Sequence, residues 1–162
     1  MLKRILLALA GLLFVYLGVG YLIHLLASDQ TEIRWLVEDM EEAYNTGDAG
    51  DCVAPLARNW RHEGYELDRQ VLLGAVFQAS RERDRSTHEM LTRVEVAEDS
   101  IQVAVDGERA TLTVEAVFWR LRKGAWEETW RIRVEGELAD GEDGWKIVKT
   151  RHSDLRGTHL GR

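Results

Sequence analysis

The residues of this chain that could bind a metal or carry out catalysis do not have the spacing that such chemistry requires. His62 and Glu63 begin like the HExxH zinc motif, but Glu66 stands where the second histidine would have to be. Residues 140–144 place three carboxylates in one turn, yet they lack the twelve-residue register of a calcium loop. After residue 28 there is also no nucleophile elbow, phosphate-binding glycine loop or dinucleotide fingerprint. We therefore expect neither a metal nor a cofactor.

The single cysteine, Cys52, has no second thiol in the chain with which to form a disulfide bond. It lies beside Val53 and Leu56, without a basic neighbour that would lower the pKa of its thiol. We expect a buried, unreactive side chain rather than a nucleophile.

Charge is distributed unevenly along the 162 residues, which carry 28 acidic and 21 basic side chains and a net charge of -7. The first 28 residues contain only two charges, Lys3 and Arg4, so removing their +2 leaves -9 on the remaining 134 residues. A domain of that charge repels nucleic-acid phosphates unless it carries a concentrated basic patch, and acids interrupt every Lys/Arg cluster here. We expect no nucleic-acid partner.

Residues 5–26 form an apolar segment without a formal charge, and as a helix these 22 residues would span about 33 Å, the thickness of a bilayer core. The segment is longer than the apolar core of a signal peptide, and both candidate cleavage sites have Leu at position -3, so we favour a retained anchor over a cleaved signal. Lys3 and Arg4 precede it and acidic residues follow, which predicts a cytoplasmic N-terminus. In a bacterium the chain would then be a single-pass inner-membrane protein with a periplasmic domain.

Hydrophobic spacing predicts an α+β domain over residues 29–157, in which about three helices pack on a curved antiparallel sheet of four to five strands. The first helix begins at a capping box at 29–32, a second short helix runs through Ala57, and a third opens at Asp68. After Thr87 the hydrophobic period changes from 3.6 to 2, which indicates strands. Residues 1–28 are predicted to be a cytoplasmic stub and the membrane anchor, and residues 158–162 a loose tail.

The final strand, 145–153, is predicted to turn its odd-numbered residues toward the helices, because Trp145 and Ile147 set that alternation. This brings two cations, Lys149 and Arg151, to the open end of the space between helices and sheet. They would suit an anionic ligand there. Ion pairs with acidic residues are the alternative, and such pairs are the commoner role of these side chains.

Six tryptophans are many for a chain of this length. Trp126, Trp130 and Trp145 share the predicted inward parity, so we expect them in the core. Trp35 lies off the apolar stripe of the first helix, close to the predicted membrane, and suits the lipid interface or a partner's pocket equally. Tyr16 lies near the middle of the predicted span, where a phenol hydroxyl prefers a protein partner. The candidates for a partner interface are Trp35, Trp119 and Tyr16.

The order of elements, together with the sequences AYNTGD at 43–48 and WKIVKTRHS at 145–153, resembles the nuclear transport factor 2-like superfamily. This superfamily is also called SnoaL-like or cystatin-like, and the resemblance covers about residues 30–156. Its members include ketosteroid isomerase, polyketide cyclases, scytalone dehydratase, cargo-binding transport factors and membrane-anchored assembly components of type IV secretion systems. The resemblance implies a cone-shaped domain but no single function.

In the enzymes of this superfamily the cone between helices and sheet is the active site. The resemblance puts the base carboxylate of ketosteroid isomerase near Glu63, but it puts the tyrosine donor at Met40, which has no hydroxyl. An enzyme would therefore use the alternative set Glu63, Lys149 and Arg151. The candidates for lining the pocket are Trp60, His62, Phe118, Glu128, Trp130 and Ser153.

The leading hypothesis is a non-enzymatic accessory or assembly subunit without catalytic residues, anchored in the bilayer through residues 5–26. Its outer domain would bind a membrane-protein partner or a second copy of the chain. The alternative is an isomerase-like or cyclase-like enzyme, or a carrier, that binds a small molecule in the cone.

Overall fold

The computed structural model describes residues 28–84 and 87–157. They form an α+β domain in which three helices pack on one curved six-stranded sheet. Within these residues, no helix combines the length and the apolar character needed to cross a membrane. The predicted anchor at 5–26, with Tyr16, and the predicted tail at 158–162 lie outside the described residues.

Helices precede most of the strands, in the predicted order. The helices are α1 (Asp29–Thr46), α2 (Ala49–Val53) and α3 (Arg69–Arg81). The strands are β1 (Leu56–His62), β2 (Thr92–Val96), β3 (Gln102–Asp106), β4 (Arg109–Arg122), β5 (Ala125–Ala139) and β6 (Lys146–Gly157). In the sheet the order is β1-β6-β5-β4-β2, and β3 also pairs with β4.

Helix α1 is capped at both ends. Ser28 is its N-cap, one residue earlier than predicted, and its hydroxyl accepts a hydrogen bond from the Thr31 N–H at 3.4 Å. The helix ends at Gly47, which has a φ of 85° and closes the last turn in the left-handed conformation. A Cβ at Gly47 would lie 3.2 Å from both Met90 Sδ and Ser80 Cβ, so glycine also permits this close packing.

The largest difference from the prediction lies just after α2, where the helix was expected to continue. Helix α2 ends at Val53 because Pro55 has no N–H to donate to a further helical turn. The Pro55 carbonyl instead accepts from the Ile147 N–H at 3.0 Å, and β1 then pairs with β6 in parallel. The prediction of an antiparallel sheet of four to five strands is therefore wrong in the number of strands and in the direction of one pairing. Strand β1 shows no alternation in sequence because only Leu56 and Trp60 are buried.

The core lies between α1 and the helix-facing side of the sheet. Ile33 and Val37 of α1 pack there against buried strand residues, including Leu138 and the predicted core residue Trp145. Cys52 is buried on the helix side, as expected, and burial raises the pKa of its thiol to about 11.

The side chain of Asn45 joins the end of α1 to the edge strand β2. Its Nδ2 donates to the Val94 carbonyl at 2.8 Å, and its Oδ1 accepts from the Val94 N–H at 2.8 Å. The side-chain amide therefore replaces a neighbouring strand at this residue, which protects the edge of the sheet from further pairing.

We expect Asn45→Ala to lower the free energy of unfolding by about 1–3 kcal/mol, because both backbone groups of Val94 lose a partly buried partner. Urea unfolding of the full-length protein in mild detergent measures this. Asn59→Ala, at an exposed position of β1, is the control and should change stability by less than about 0.5 kcal/mol. Equal effects of the two substitutions would contradict this role of Asn45.

Candidate functional site

A β-bulge in β6 decides which side chains face the helices. Ile147 and Lys149 pair with consecutive residues of β5, which leaves Val148 between them without a partner. One unpaired residue shifts the alternation of side chains by one position. Beyond the bulge, the odd-numbered residues, Arg151 and Ser153 among them, therefore point away from the helices. Their predicted inward orientation is wrong.

Lys149 and Arg151 lie on the outer face of the sheet, in contact with acidic side chains. Lys149 forms an ion pair with Glu63 and lies 3.6 Å from Glu137, and Arg151 pairs with Glu135. The contact with Lys149 lowers the pKa of Glu63. The structure thus brings the three residues of the alternative catalytic set together, but along an open outer groove of about 420 Å³ rather than in the cone.

Two predicted pocket-lining residues also lie on the outer face. Glu128 contacts Arg131 at 3.0 Å and Arg156 at 3.6 Å, and the hydrogen bond from Arg131 lowers its pKa. Ser153 is exposed and stands opposite Arg133. Neither side chain lines the space between sheet and helices.

The other pocket-lining candidates share the helix-facing side, and aromatic rings fill that space. Trp60 is only 3% exposed. Phe118 and Trp130 stack with their ring centroids 5.0 Å apart, and Tyr44 of α1 meets Phe118 edge-on at 6.0 Å. Aromatic side chains therefore pack together on this part of the helix-facing side.

His62, the remaining candidate, contacts polar residues that the sequence analysis did not identify. Its Nε2 lies 2.8 Å from Nδ1 of His152. The ring of Tyr65 is parallel to that of His152, with the centroids 5.4 Å apart. Asp154 Oδ1 accepts from Trp130 Nε1 at 2.7 Å and lies 3.8 Å from His152 Nε2. We call His62, Tyr65, His152 and Asp154 the rim cluster.

The surroundings of His62 disfavour its protonated form. Burial, and next the neighbouring His152, lower its pKa, while the backbone of Glu63 opposes the shift. A hydrogen bond between two imidazole rings needs one N–H and one bare nitrogen, so the pair cannot be doubly protonated. Such a pair can accept or pass on a proton. Within the described ranges, no three or more His, Cys, Asp or Glu side chains are arranged to hold a metal ion.

His152 and Asp154 were not identified from the sequence, because both follow the bulge at Val148, which shifts the alternation of side chains by one position. Without a bulge, even-numbered residues of the last strand belong to the outer face. Tyr65 was missed because it lies in the loop between β1 and α3, where the sequence has no hydrophobic period.

A second bulge places another aromatic group on the outer face. The register of β4 and β5 shifts between Phe118 and Trp119, so Trp126 is turned outward, and its predicted position in the core is wrong. Arg93 lies over both Trp119 and Trp126, 5.5 and 4.6 Å from the ring centroids. Trp35 is partly buried on α1. Roles of Trp119 and Trp35 in a partner interface stay predictions.

No protein-family model and no curated protein matches the chain. Solved structures do match it. A nuclear transport factor 2-like protein with a cystatin-like fold from Novosphingobium aromaticivorans has a TM-score of 0.68 and 19% identity, covering 89% of this chain and 92% of that one. A cystatin-like domain of unknown function from Nostoc punctiforme has a TM-score of 0.59 and 21% identity, covering 82% and 80%.

A third structure, a nuclear transport factor 2-like protein of unknown function from Rhodospirillum rubrum, has a TM-score of 0.57 and 18% identity, covering 76% of this chain and 98% of that one. At these identities the likeness concerns the fold alone. The domain therefore has the nuclear transport factor 2-like, or cystatin-like, fold.

We expect the stability of the full-length protein to fall below about pH 6.5 through His62. Its folded-state pKa lies below the ordinary value of 6.5, so the unfolded chain binds the proton first as the pH falls. The stability that the neutral ring contributes is fully present above the pKa of His62 in the unfolded chain. It is lost as the pH drops toward the pKa of His62 in the folded protein. Thermal unfolding between about pH 8 and 5 measures this loss.

His62→Gln should flatten that part of the curve of Tm against pH, because glutamine does not titrate. His88→Gln, at an exposed histidine, is the matched control and should leave the shape of the curve unchanged. A curve for His62→Gln as steep as that of the wild type would contradict the assignment.

Proposed function

We propose that this protein is a membrane-anchored, non-enzymatic accessory subunit of a larger complex in the bacterial inner membrane. Residues 5–26 would cross the membrane once, with the N-terminus in the cytoplasm and the domain on the periplasmic side. There the domain would bind a protein partner through the outer face of its sheet.

The observation that carries the proposal is the filling of the helix-facing side by aromatic rings. A small-molecule site needs a concave space that buries most of the ligand. Here Trp60 is buried in the core, and Phe118 and Trp130 stack on each other where that space would open. This favours a role that uses the opposite, outer face of the same strands.

The outer face has the chemistry of a protein-binding surface. Its strands carry cross-strand pairs of opposite charge, and an arginine–tryptophan stack lies toward the β2 side. The pairs are Glu115–Arg133, Glu135–Arg151 and Glu137–Lys149, and the stack is formed by Arg93, Trp119 and Trp126. Aromatic residues and arginine are enriched where protein interfaces are strongest, and a polar rim commonly surrounds them. Mixed charge also lets the partner be selected by electrostatic complementarity.

The alternative, an isomerase-like or cyclase-like enzyme, is less well supported for the predicted residues. Glu63, Lys149 and Arg151 are partly exposed to solvent and ion-paired on the outer face. A general base at neutral pH needs a carboxylate whose pKa is raised, whereas Lys149 lowers the pKa of Glu63. A small-molecule ligand in the cone would have to use other residues.

We expect the full-length chain, extracted from its native membrane in mild detergent, to be part of a particle that contains a second membrane protein. Native mass spectrometry measures the composition of that particle. A particle made of two copies of the chain would mean that the partner is a second copy rather than a different protein. A strictly monomeric particle would contradict the proposal.

Two substitutions test whether the outer face of the sheet binds the partner. Thr111→Arg places a long cation at an exposed position of the outer face and should lower the recovery of the partner about tenfold. Glu38→Arg makes a similar change on the exposed side of α1 and should leave recovery unchanged. The same result for both variants would argue against the outer face as the binding surface.

A further inference from the structure

One edge of the sheet is formed by β2 and β3, and side chains of α1 cover its first part. The Asn45 amide bonds to both backbone groups of Val94, and Glu41 interacts with the backbone of β2. Arg34 Nη2 donates to the carbonyl of Ile101 at 2.8 Å, just before β3 begins. The three helix residues are seven and four positions apart, so they form one stripe along α1. This stripe covers the edge as far as Ile101.

Beyond Ile101 the edge of β3 is open. The two-residue turn between β3 and β4 makes Asp106 and Arg109 a hydrogen-bonded pair. Bonded and non-bonded pairs alternate in an antiparallel ladder, so the N–H and C=O groups of Val103 and Val105 point away from β4. They lie in the same row as the carbonyl that α1 binds. Among the described residues, none forms a hydrogen bond with these four groups.

The sequence of β3 does not oppose the addition of a further strand. Residues 101–105 contain no charge and no proline, and the register of β3 against β4 has no bulge. Proteins commonly use these three devices to keep another chain from pairing with an edge. On the outer face beside the edge, Ala104 lines an open depression of about 650 Å³, which leaves room for side chains of an added strand. The edge of β3 is therefore suited to pairing with another chain.

The charges around β3 indicate which chain fits this edge. Four exposed acidic side chains flank the strand: Glu98, Asp99, Asp106 and Glu108. Residues 97–110 contain a single basic side chain, Arg109. A second copy of the chain would bring the same acids to the contact, and like charges across paired strands are destabilising. A strand with basic residues at its ends has the complementary charge.

We propose that the open edge of β3 binds an extended, basic segment of a protein partner, which adds a strand to the sheet through the backbone groups of Val103 and Val105. The main-chain hydrogen bonds supply affinity, and the acids at both ends of β3 select basic residues. This edge is a binding surface separate from the outer face of the sheet. It goes beyond the accessory role proposed above and does not depend on it.

The probe is a synthetic peptide of sequence KKVTVTVKK, added to the full-length protein in mild detergent. Amide hydrogen exchange followed by NMR should show that the N–H groups of Val103 and Val105 exchange about tenfold more slowly when the peptide is bound. The N–H of Ala104, which already bonds to β4, should change little.

Two peptide analogues test the recognition without any change to the protein. A peptide methylated on the amide nitrogens of its five central residues cannot donate to the edge and should bind about tenfold more weakly or worse. The acidic peptide EEVTVTVEE should also bind about tenfold more weakly, because it meets the acids that flank β3. Fluorescence anisotropy of labelled peptides measures these affinities.

Val103→Pro removes one N–H donor of the edge and should weaken binding of the basic peptide about tenfold. Val103→Ala is the matched control, because it loses the same side-chain contacts with the core but keeps the N–H, and it should bind like the wild type. Asp106→Lys should weaken binding of the basic peptide and strengthen binding of the acidic one.

Equal affinity of Val103→Pro and Val103→Ala for the basic peptide overturns the proposal, and so does an unchanged exchange rate at Val103 and Val105 in its presence. Equal binding of the methylated peptide, or no binding of the basic peptide to the wild type, overturns it without reference to any variant. A dimer of the wild-type chain in sedimentation that Val103→Pro abolishes would assign the edge to a second copy and overturn the choice of a basic partner.

Discussion

The unpaired residue Val148 determines the chemistry of both faces of the sheet. It sits between Ile147, in the core, and Lys149, on the outer face. With regular pairing, Lys149 and Arg151 would enter the space beside α1, where a cation without a partner is very costly. The bulge instead directs both cations to acidic partners in solvent and turns His152 toward His62. The core, the outer ion pairs and the rim cluster all depend on this one shift.

Because side chains alternate along β5 and β6, the outer face and the rim cluster use the same strands from opposite sides. Trp130 and Asp154 belong to the helix-facing side, whereas Arg131 and Ser153 belong to the outer face. A partner bound to the outer face would therefore leave the rim cluster uncovered. The bond between Asn45 and β2 holds α1 on the inner side and so maintains the division between the faces.

Much of the fold followed from local signals. Gly47 ends α1 and Asp68 caps α3, as their residue types predict, and the long alternating strands β4 and β5 were recognised from their period. Strand β1 was not recognised. It is an edge strand that pairs on one side, so only Leu56 and Trp60 are buried and its sequence shows no regular period. The candidate site was predicted in part: His62 and Trp130 lie on the helix-facing side, but His152 and Asp154 were not identified, because the predicted alternation turned the odd-numbered residues of the last strand inward.

The sequence by itself determined the local structure: which residues cap helices, where turns interrupt the strands, and that the domain is acidic behind an apolar N-terminal segment. These features depend on residues close together in the chain. Only the tertiary structure decided the register of β6 against β5 and its parallel pairing with β1. The register minimises the burial of charge and fills the core with contacts between residues far apart in sequence, and a shift of one residue exchanges the two faces of the strand.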